Sequence, residues 1–242
     1  MNLVIDAGNT TVKLAVFDKG ALIGFKKVAL VHFSKEVKLM FDQFPDVTHA
    51  IVSSVGAMEK KAIQLVSLFV KVHRLTHQSK TPFKNSYATP QSLGVDRIAL
   101  ATAAFYVNSK KNTLVIDAGT CITYDMINDY GEYLGGAISP GLLMRYNALH
   151  SQTSKLPQLQ KEDPIDLIGN STETCIHSGV VHGISLEIDG LIDQYSSRFS
   201  HLTVILTGGD AQFLSKRLKN TIFAHSNFLL EGLNYLMEYN KR

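Results

Sequence analysis

Residues 3–10 read Leu-Val-Ile-Asp-Ala-Gly-Asn-Thr, and residues 114–120 read Leu-Val-Ile-Asp-Ala-Gly-Thr. Each copy is a short apolar run of β type that ends in Asp, Ala and Gly and continues into a hydroxyl-bearing turn. This pattern places a carboxylate at a strand end, next to a glycine that lets main-chain N–H groups approach a ligand closely. Two such turns, one in each half of the chain, predict a duplicated α/β unit that holds one polyphosphate between its halves.

Composition sets the class of protein. The chain has 242 residues, of which 45% are hydrophobic and 19% charged, and these values are typical of a globular protein. The net charge of +3 comes without a block of five Lys or Arg, so neither a nucleic acid nor a membrane is an expected partner. Cys121 and Cys175 lie outside any CxxC motif, which excludes a disulfide framework and a structural zinc site.

The sequence predicts neither a membrane-spanning segment nor a signal peptide. The longest nearly apolar run, residues 98–107, is far shorter than the roughly 20 residues that cross a bilayer. A strand begins within the first three residues, which leaves no room for a signal peptide. We therefore expect a cytoplasmic protein.

Predicted strands and helices alternate along the chain, which favours an α/β architecture. Strands are predicted at 3–5, 11–17, 21–28, 49–55, 70–75, 114–116, 121–127 and 204–206, and helices at 35–44, 60–69, 98–107, 142–149, 172–194, 212–218 and 227–239. Residues 76–93 and 151–169 are polar loops, and the glycine-rich stretch 135–141 is interpreted as a turn cluster. The repeat divides the chain into two domains, 1–110 and 111–242.

The first repeated turn is a candidate phosphate site. Gly8 and Asn9 tolerate positive φ, and Asn9 and Thr10 can donate hydrogen bonds to phosphate oxygens. Asp6 can orient a hydrated Mg²⁺, because that ion keeps several of its waters and needs only one or two carboxylates. For one copy alone, a hairpin turn with an Asx-type hydrogen bond is the favoured explanation. The second copy, with Asp117, favours a functional interpretation.

Two further motifs carry candidate chemistry. The Gly208-Gly209 pair follows an apolar run, where it would let a flat ring lie against the main chain. There is no GxxxxGK[ST] and no GxGxxG motif, so a P-loop or Rossmann site is not expected. In Gly94-Val95-Asp96-Arg97, Asp96 is either an N-cap or first-turn charge of a helix, or a general base with Arg97 beside it as the anchor for a carboxylate or phosphate. The residues alone leave these alternatives open.

Taken in order, the motifs resemble those of bacterial type III pantothenate kinases. The resemblance rests on the stretches 6–10, 94–97, 117–120, 135–141 and 207–209 and spans nearly the whole chain. That family belongs to the actin/hexokinase-like kinase superfamily, and the resemblance implies two ribonuclease H-like domains related by duplication, with a nucleotide in the cleft between them. Cys175 departs from the family pattern, which usually has Ala there.

The resemblance also implies an activity and a set of site residues. The reaction would be ATP-dependent phosphorylation of pantothenate at its terminal hydroxyl, the first step of coenzyme A synthesis, in a homodimer. Asp96 would be the general base. The ATP phosphates and Mg²⁺ would be held by Asp6, Ala7, Gly8, Asn9, Thr10, Thr11, Val12 and Lys13, with Thr120, Gly208 and Gly209 also contacting ATP. Pantothenate would contact Tyr87, Gly94, Val95, Asp96, Arg97 and Thr172, and Asp117 would bind a monovalent cation, K⁺ or NH₄⁺.

Two alternatives remain at this point. One is a nucleotide-binding regulatory relative without kinase activity, which the presence of Asp6, Asp96 and Asp117 together disfavours. The other is a kinase with the same fold that acts on a different small hydroxy acid or sugar.

Overall fold

A computed structural model describes residues 1–8, 11–54 and 58–241 of the chain. The strands are β1 (Asn2–Ala7), β2 (Thr11–Asp18), β3 (Ala21–Ala29), β4 (His49–Ser54), β5 (Lys71–Arg74), β6 (Lys84–Asn85), β7 (Thr113–Ala118), β8 (Cys121–Ile127), β9 (Glu132–Pro140), β10 (Thr203–Thr207) and β11 (Phe223–Ala224). The helices are α1 (Phe33–Gln43), α2 (Met58–Val66), α3 (Val95–Val107), α4 (Leu142–Ser151), α5 (Thr172–Arg198), α6 (Ala211–Ser215) and α7 (Phe228–Asn240). Short 3₁₀ helices lie at Leu30–His32 and Pro90–Ser92.

These elements form two compact units, Met1–Ser109 with Asn227–Arg242, and Lys110–Ser226. In the first unit the sheet order is β3-β2-β1-β4-β5, with β1 antiparallel to β2 and parallel to β4. In the second unit β9, β8, β7, β10 and β11 are neighbours in that order, with β7 antiparallel to β8 and parallel to β10. The same strand order therefore occurs twice, as the internal repeat predicts.

The central strands carry the core of each unit. In β1 the side chains of Leu3, Val4 and Ile5 are fully buried, and in β7 the same holds for Leu114, Val115 and Ile116. A strand that is buried on both faces reads as a continuous apolar run. The polar residue that ends each run therefore lies where the strand leaves the core.

The C-terminal helix departs from the predicted division. The sequence interpretation placed residues 227–242 in the second domain, whereas α7 packs in the first unit. Gly232 on α7 allows close contact with α3, because a Cβ at this position would lie 2.0 Å from the carbonyl oxygen of Ala99. The repeat pattern does not encode this contact, since it depends on one glycine in the last helix.

The predicted turn cluster at 135–141 is wrong, because most of it is strand β9. A Cβ on Gly136 would lie 1.7 Å from the carbonyl oxygen of Tyr124, so the glycine serves the close approach of β8 and β9. Gly135 has a φ of +97°, and the β8–β9 register shifts beside it, between Met126 and Ile127. These glycines therefore belong to an irregular strand.

The remaining differences are small. The short strands β6 and β11 were not predicted, α5 extends four residues beyond the predicted end at 194, and α6 ends three residues before the predicted end at 218. In the described ranges, none of the helices has both the length and the apolar character needed to cross a membrane.

Candidate active site

Asp6 and Lys13 form the polar end of the β1–β2 pair. The two residues lie opposite each other in the antiparallel register, and Lys13 Nζ is 3.2 Å from Asp6 Oδ2. The Asp6 side chain is 17% exposed and that of Lys13 35% exposed. The hairpin therefore places a mostly buried carboxylate beside a cation that still reaches solvent.

The environment of Asp6 favours its neutral form. Burial raises the pKa of this carboxyl above its ordinary value, the positive charge of Lys13 opposes that rise, and the charge of Asp96 adds to it. The structure thus brings Asp6 and Asp96 within electrostatic reach of each other inside the first unit. A bound cation would relieve the cost of holding both carboxylates ionised.

The turn after β1 is closed by its main chain. The N–H of Gly8 donates to the carbonyl oxygen of Thr11 at 3.0 Å. Val12 is fully buried, so its side chain packs in the core and only its main chain is available to a ligand. The predicted phosphate contacts at Asn9 and Thr10 fall outside the described residues.

Asp96 lies in the first turn of α3, where Gly94 is the N-cap residue. Its Oδ1 accepts a hydrogen bond from the N–H of Arg97 at 2.8 Å, and the residue is exposed. A Cβ on Gly94 would lie 2.4 Å from the same oxygen, so only glycine leaves the carboxylate where it is. Asp96 is therefore not an N-cap, but an exposed carboxylate whose position the neighbouring glycine allows.

Arg97 and Tyr87 come together beside Asp96. Arg97 is 5% exposed, and its guanidinium carbon lies 5.8 Å from the centre of the Tyr87 ring. The loop that carries Tyr87 is fixed locally, because the N–H of Tyr87 donates to Asn85 Oδ1 at 3.0 Å. Val95, next to Gly94, is half-buried. Burial and the aromatic ring therefore hold the Arg97 side chain in place next to Asp96.

The second repeated turn differs from the first at two positions. The residue opposite Asp117 is Thr123, whose hydroxyl donates to Asp125 Oδ2 at 3.0 Å. The turn is one residue shorter and is closed by the N–H of Gly119, which donates to the carbonyl oxygen of Cys121 at 3.0 Å. Lys13 therefore has no counterpart in the strand opposite Asp117.

The Gly208–Asp210 loop packs directly on the Asp117 turn. Gly208 has a φ of +98°, and a Cβ there would lie 2.4 Å from both Asp117 Oδ1 and the carbonyl oxygen of Ala118. The N–H of Asp210 donates to that carbonyl at 2.9 Å. Gly209 is exposed, and a Cβ there would meet open space. The two glycines therefore differ: Gly208 is required by packing, whereas Gly209 leaves its main chain open.

Thr120 and Thr172 occupy different surroundings in the second unit. Thr120 is exposed, and its carbonyl oxygen accepts from the N–H of Gly141 at 3.1 Å. Thr172 is the exposed first residue of α5, after a capping box in which Ser171 Oγ accepts from the N–H of Thr174 at 3.2 Å. Thr172 lines an open groove of about 1200 Å³ between α4 and α5. It therefore belongs to a distinct surface from the Asp117 turn.

The sequence analysis did not select three residues that lie at the Asp117 turn or hold the loop packed on it: Gly141, Asp210 and Lys161. Gly141 abuts the turn, since a Cβ there would lie 2.1 Å from the carbonyl oxygen of Gly119. Asp210 was quoted within its motif but not selected, and its partner Lys161 lies in the polar loop 151–169. Gly141 carried a signal, because it ends the glycine-rich stretch. Nothing in the sequence around Lys161 indicated a role, because a single Lys in a polar loop is usually an exposed surface charge.

The carboxylates do not form a preformed metal cage. Within the described ranges, no group of three or more His, Cys, Asp or Glu side chains is arranged to hold a metal ion. Mg²⁺ suits such a site because it retains waters and binds through one or two carboxylates together with substrate phosphates.

Similar solved structures identify the fold class of the protein. A Baf family transcriptional activator from Campylobacter jejuni matches with a TM-score of 0.65 at 23% identity, covering 99% of this chain and 98% of that chain. An N-acetylmannosamine kinase from Listeria monocytogenes matches with a TM-score of 0.54 at 14% identity, covering 100% and 99%. The repeated α/β units with a carboxylate at each central strand end define an actin-like ATPase and sugar-kinase fold, which confirms the predicted fold class.

Sequence comparison then identifies the family. The family model described as type III pantothenate kinase matches residues 2–194. The type III pantothenate kinase of Flavobacterium johnsoniae is 49% identical over 239 residues, covering 99% of this chain and 98% of the relative, and that of Christiangramia forsetii is 47% identical over 241 residues, covering 100% and 99%. The chain belongs to the type III pantothenate kinase family. The predicted family and enzyme class, a phosphotransferase, are thereby confirmed.

Proposed function

We propose that this chain transfers the γ-phosphoryl group of ATP to the terminal hydroxyl of pantothenate, with Asp96 as general base. Family membership supports the reaction. The observation that carries the role of Asp96 is its setting, an exposed carboxylate held by the N–H of Arg97 and beside a glycine that leaves it room. A general base must reach the proton that it removes, and an exposed carboxylate at a helix start meets that requirement.

The neighbours of Asp96 would bind the acceptor. Arg97 would pair with the pantothenate carboxylate in fork geometry, while Tyr87 keeps the guanidinium oriented. Gly94 and Val95 would line the same pocket with their main chains, and Thr172 would supply a further contact. Asp96 would then accept the hydroxyl proton as the oxygen attacks phosphorus, and ADP would leave with the bridging oxygen.

The first repeated turn would hold the phosphates. Phosphoryl transfer needs positioning and charge neutralisation more than covalent help from the protein. Lys13 would supply a positive charge, and the side chains of Asn9, Thr10 and Thr11 would donate to phosphate oxygens, with Ala7, Gly8 and Val12 lining the turn. Thr120, Gly208 and Gly209 would contact ATP from the second unit.

Two cations complete the proposal. Mg²⁺, held through water by Asp6, would neutralise charge on the β- and γ-phosphates. Burial raises the pKa of Asp6, and a divalent ion bound there would offset this effect and keep the carboxyl ionised. Asp117 would bind K⁺ or NH₄⁺, a role that the resemblance of its motif to the family pattern implies.

We also propose that the chain acts as a homodimer through α5. Gly179, Gly183 and Gly190 lie on this helix, and a Cβ at any of them would meet open space. Leu186, between them, is 69% exposed, and Leu143 on the adjacent α4 is 50% exposed. An exposed apolar helix face of this kind is typical of an interface. The cytoplasmic location stays a prediction.

The test of the reaction is a coupled ADP-release assay with pantothenate and Mg-ATP, run in K⁺ or NH₄⁺ and then in Na⁺ alone. We expect turnover that requires pantothenate and falls sharply in Na⁺. If ADP is released with another hydroxy acid or sugar but not with pantothenate, that compound is the substrate instead of pantothenate. If no acceptor supports ADP release, the regulatory alternative is favoured.

The general base is tested by Asp96→Asn, which preserves the size of the side chain. We expect kcat to fall by about 10²–10⁴ while the thermal midpoint stays close to that of the native chain. Full activity in this variant would remove Asp96 from the mechanism.

The dimer is tested by light scattering on the Leu186→Arg variant. We expect a native dimer and a monomeric variant, because a buried unpaired guanidinium is costly. Ile165→Arg is the matched control, since Ile165 is equally apolar, fully exposed and outside α5. A monomeric native chain would contradict the proposal.

A further inference from the structure

The connection between α4 and α5 forms hydrogen bonds and ion pairs with other residues of the second unit. Residues 157–170, here called the strap, precede the N-cap of α5. The hydroxyl of Ser178 donates to the carbonyl oxygen of Leu167, and Cys175 Sγ donates to the carbonyl oxygen of Gly169 at 3.3 Å. These bonds fix the end of the strap against the first turns of α5.

The middle of the strap reaches α6 and the loop before it. Lys161 Nζ lies 2.5 Å from Asp210 Oδ1 and 5.6 Å from the centre of the Phe213 ring. Two residues later, Asp163 pairs with Arg217, whose guanidinium carbon is 5.1 Å from the same ring centre. The strap thus makes two ion pairs of opposite polarity, one with Asp210 just before α6 and one with Arg217 just after it, and both cations lie near the Phe213 ring.

Asp210 connects this contact to the proposed nucleotide loop. Its side chain is bonded to Lys161, and its N–H is bonded to the carbonyl oxygen of Ala118 in the Asp117 turn. Gly208, two residues earlier, has no room for a Cβ against Asp117. A displacement of Asp210 would therefore move both the Gly208–Gly209 main chain and the carbonyl beside Asp117.

We propose that Lys161 is a positioning residue for ATP binding, which it supports by holding Asp210 and thereby the Gly208–Asp210 loop. This inference rests on the proposed function, in which Gly208 and Gly209 contact ATP. The ammonium acts through Asp210 and does not itself contact the nucleotide. Its distance in sequence from Asp210, 49 residues, makes it a contact that only the folded chain can form.

The first experiment measures binding of a non-hydrolysable ATP analogue by calorimetry, so that its result does not depend on turnover or on the identity of the acceptor. We expect Lys161→Ala to weaken binding by about two- to fivefold, the range for a partly exposed ion pair. Lys161→Arg restores most of the affinity. Lys155→Ala, which removes a charge from the same connection, has no effect. In the active enzyme, Lys161→Ala raises the KM for ATP and leaves kcat and the KM for pantothenate unchanged.

A double-mutant cycle separates positioning from direct contact. If Lys161 acts through Asp210, the Lys161→Ala change has no further effect on analogue affinity in an Asp210→Asn background. If the two losses multiply, Lys161 contacts the nucleotide directly and the proposal is overturned. An unchanged affinity in Lys161→Ala, or a loss that tracks a lower thermal midpoint, overturns it as well. Absence of pantothenate-dependent turnover with the expected binding results would overturn the proposed function alone.

Discussion

Lys13 lies directly opposite Asp6 in the first repeated hairpin, and its ammonium nitrogen is 3.2 Å from the Asp6 carboxylate. The corresponding place opposite Asp117 in the second hairpin is taken by Thr123. One repeat therefore carries a paired carboxylate and the other a carboxylate without a lysine across the strand. This difference supports the proposal that the first turn holds phosphate, because an ammonium group there can contact phosphate oxygens.

Replacing Lys13 with Gln is expected to shift the pH dependence of catalysis. The charge of Lys13 lowers the pKa of Asp6, so its removal raises that pKa further. In the proposed mechanism Asp6 has to be ionised to hold Mg²⁺, so the acidic limb of kcat/KM for ATP is expected to move to higher pH. The lost phosphate contact lowers kcat/KM by about tenfold or more on the alkaline plateau. Steady-state kinetics from pH 5.5 to 9 measure both effects, and Lys13→Arg is the control. An acidic limb in the same place for both variants would contradict the assignment.

Asp6→Asn is expected to raise stability while it lowers activity. The pKa of Asp6 is raised in the folded state, mainly by burial, so the ionised carboxylate destabilises the fold at neutral pH. Below its ordinary value of 3.8 the group is protonated in both states, and the variant and native chain have similar stability. The gain in the variant grows as pH rises from 3.8 and levels off above the folded pKa.

Urea unfolding between pH 4 and 8 measures this difference. Asp42→Asn, at an exposed carboxylate on α1, is the control and should show little pH-dependent gain. A variant that is less stable than the native chain at pH 7 would mean that the Lys13 ion pair outweighs the burial of Asp6.

Gly208→Ala and Gly209→Ala form a matched pair. Gly208 has a positive φ and no space for a Cβ, whereas Gly209 faces open space. We expect Gly208→Ala to lower the free energy of unfolding by about 1–3 kcal/mol and to raise the KM for ATP, with a smaller effect on stability for Gly209→Ala. Urea denaturation and initial-rate kinetics measure the two effects. If both substitutions lower the free energy of unfolding equally, the packing of Gly208 on the Asp117 turn does not account for the loss of stability.

Gly94→Ala is expected to damage catalysis through Asp96. The new methyl group would lie 2.4 Å from Asp96 Oδ1, so the carboxylate has to move. A displacement of about 1 Å at a reacting group costs up to about a hundredfold in rate, so kcat should fall by about ten- to a hundredfold. Gln91→Ala, at an exposed site in the same approach to α3, is the control. Native kcat in Gly94→Ala would show that Asp96 does not need its observed position.

The local parts of the candidate site were predictable because they are coded by neighbouring residues. The β1–β2 hairpin follows from the apolar run before Asp6 and from the alternation in residues 12–16, and its register then places Lys13 across from Asp6. The chain reverses before β3 at Gly20, which has a φ of +87° after Lys19 at +47°, and glycine is the residue that favours such a turn. In each case the deciding residues lie within about ten positions of one another.

The sequence by itself determined the duplicated strand–turn units, the family and the identity of the repeated carboxylates, because these depend on apolar runs and on turn residues in short stretches. Only the tertiary structure decided that 135–140 is a strand, that α7 belongs to the first unit, and that Lys161 holds Asp210. Each of these rests on a contact between distant segments: Gly136 with Tyr124, Gly232 with Ala99, and an ion pair spanning 49 residues. Such contacts depend on which surfaces meet after the helices and strands form. Hydrophobic periodicity predicts the helices and strands themselves but not which of their surfaces pack together.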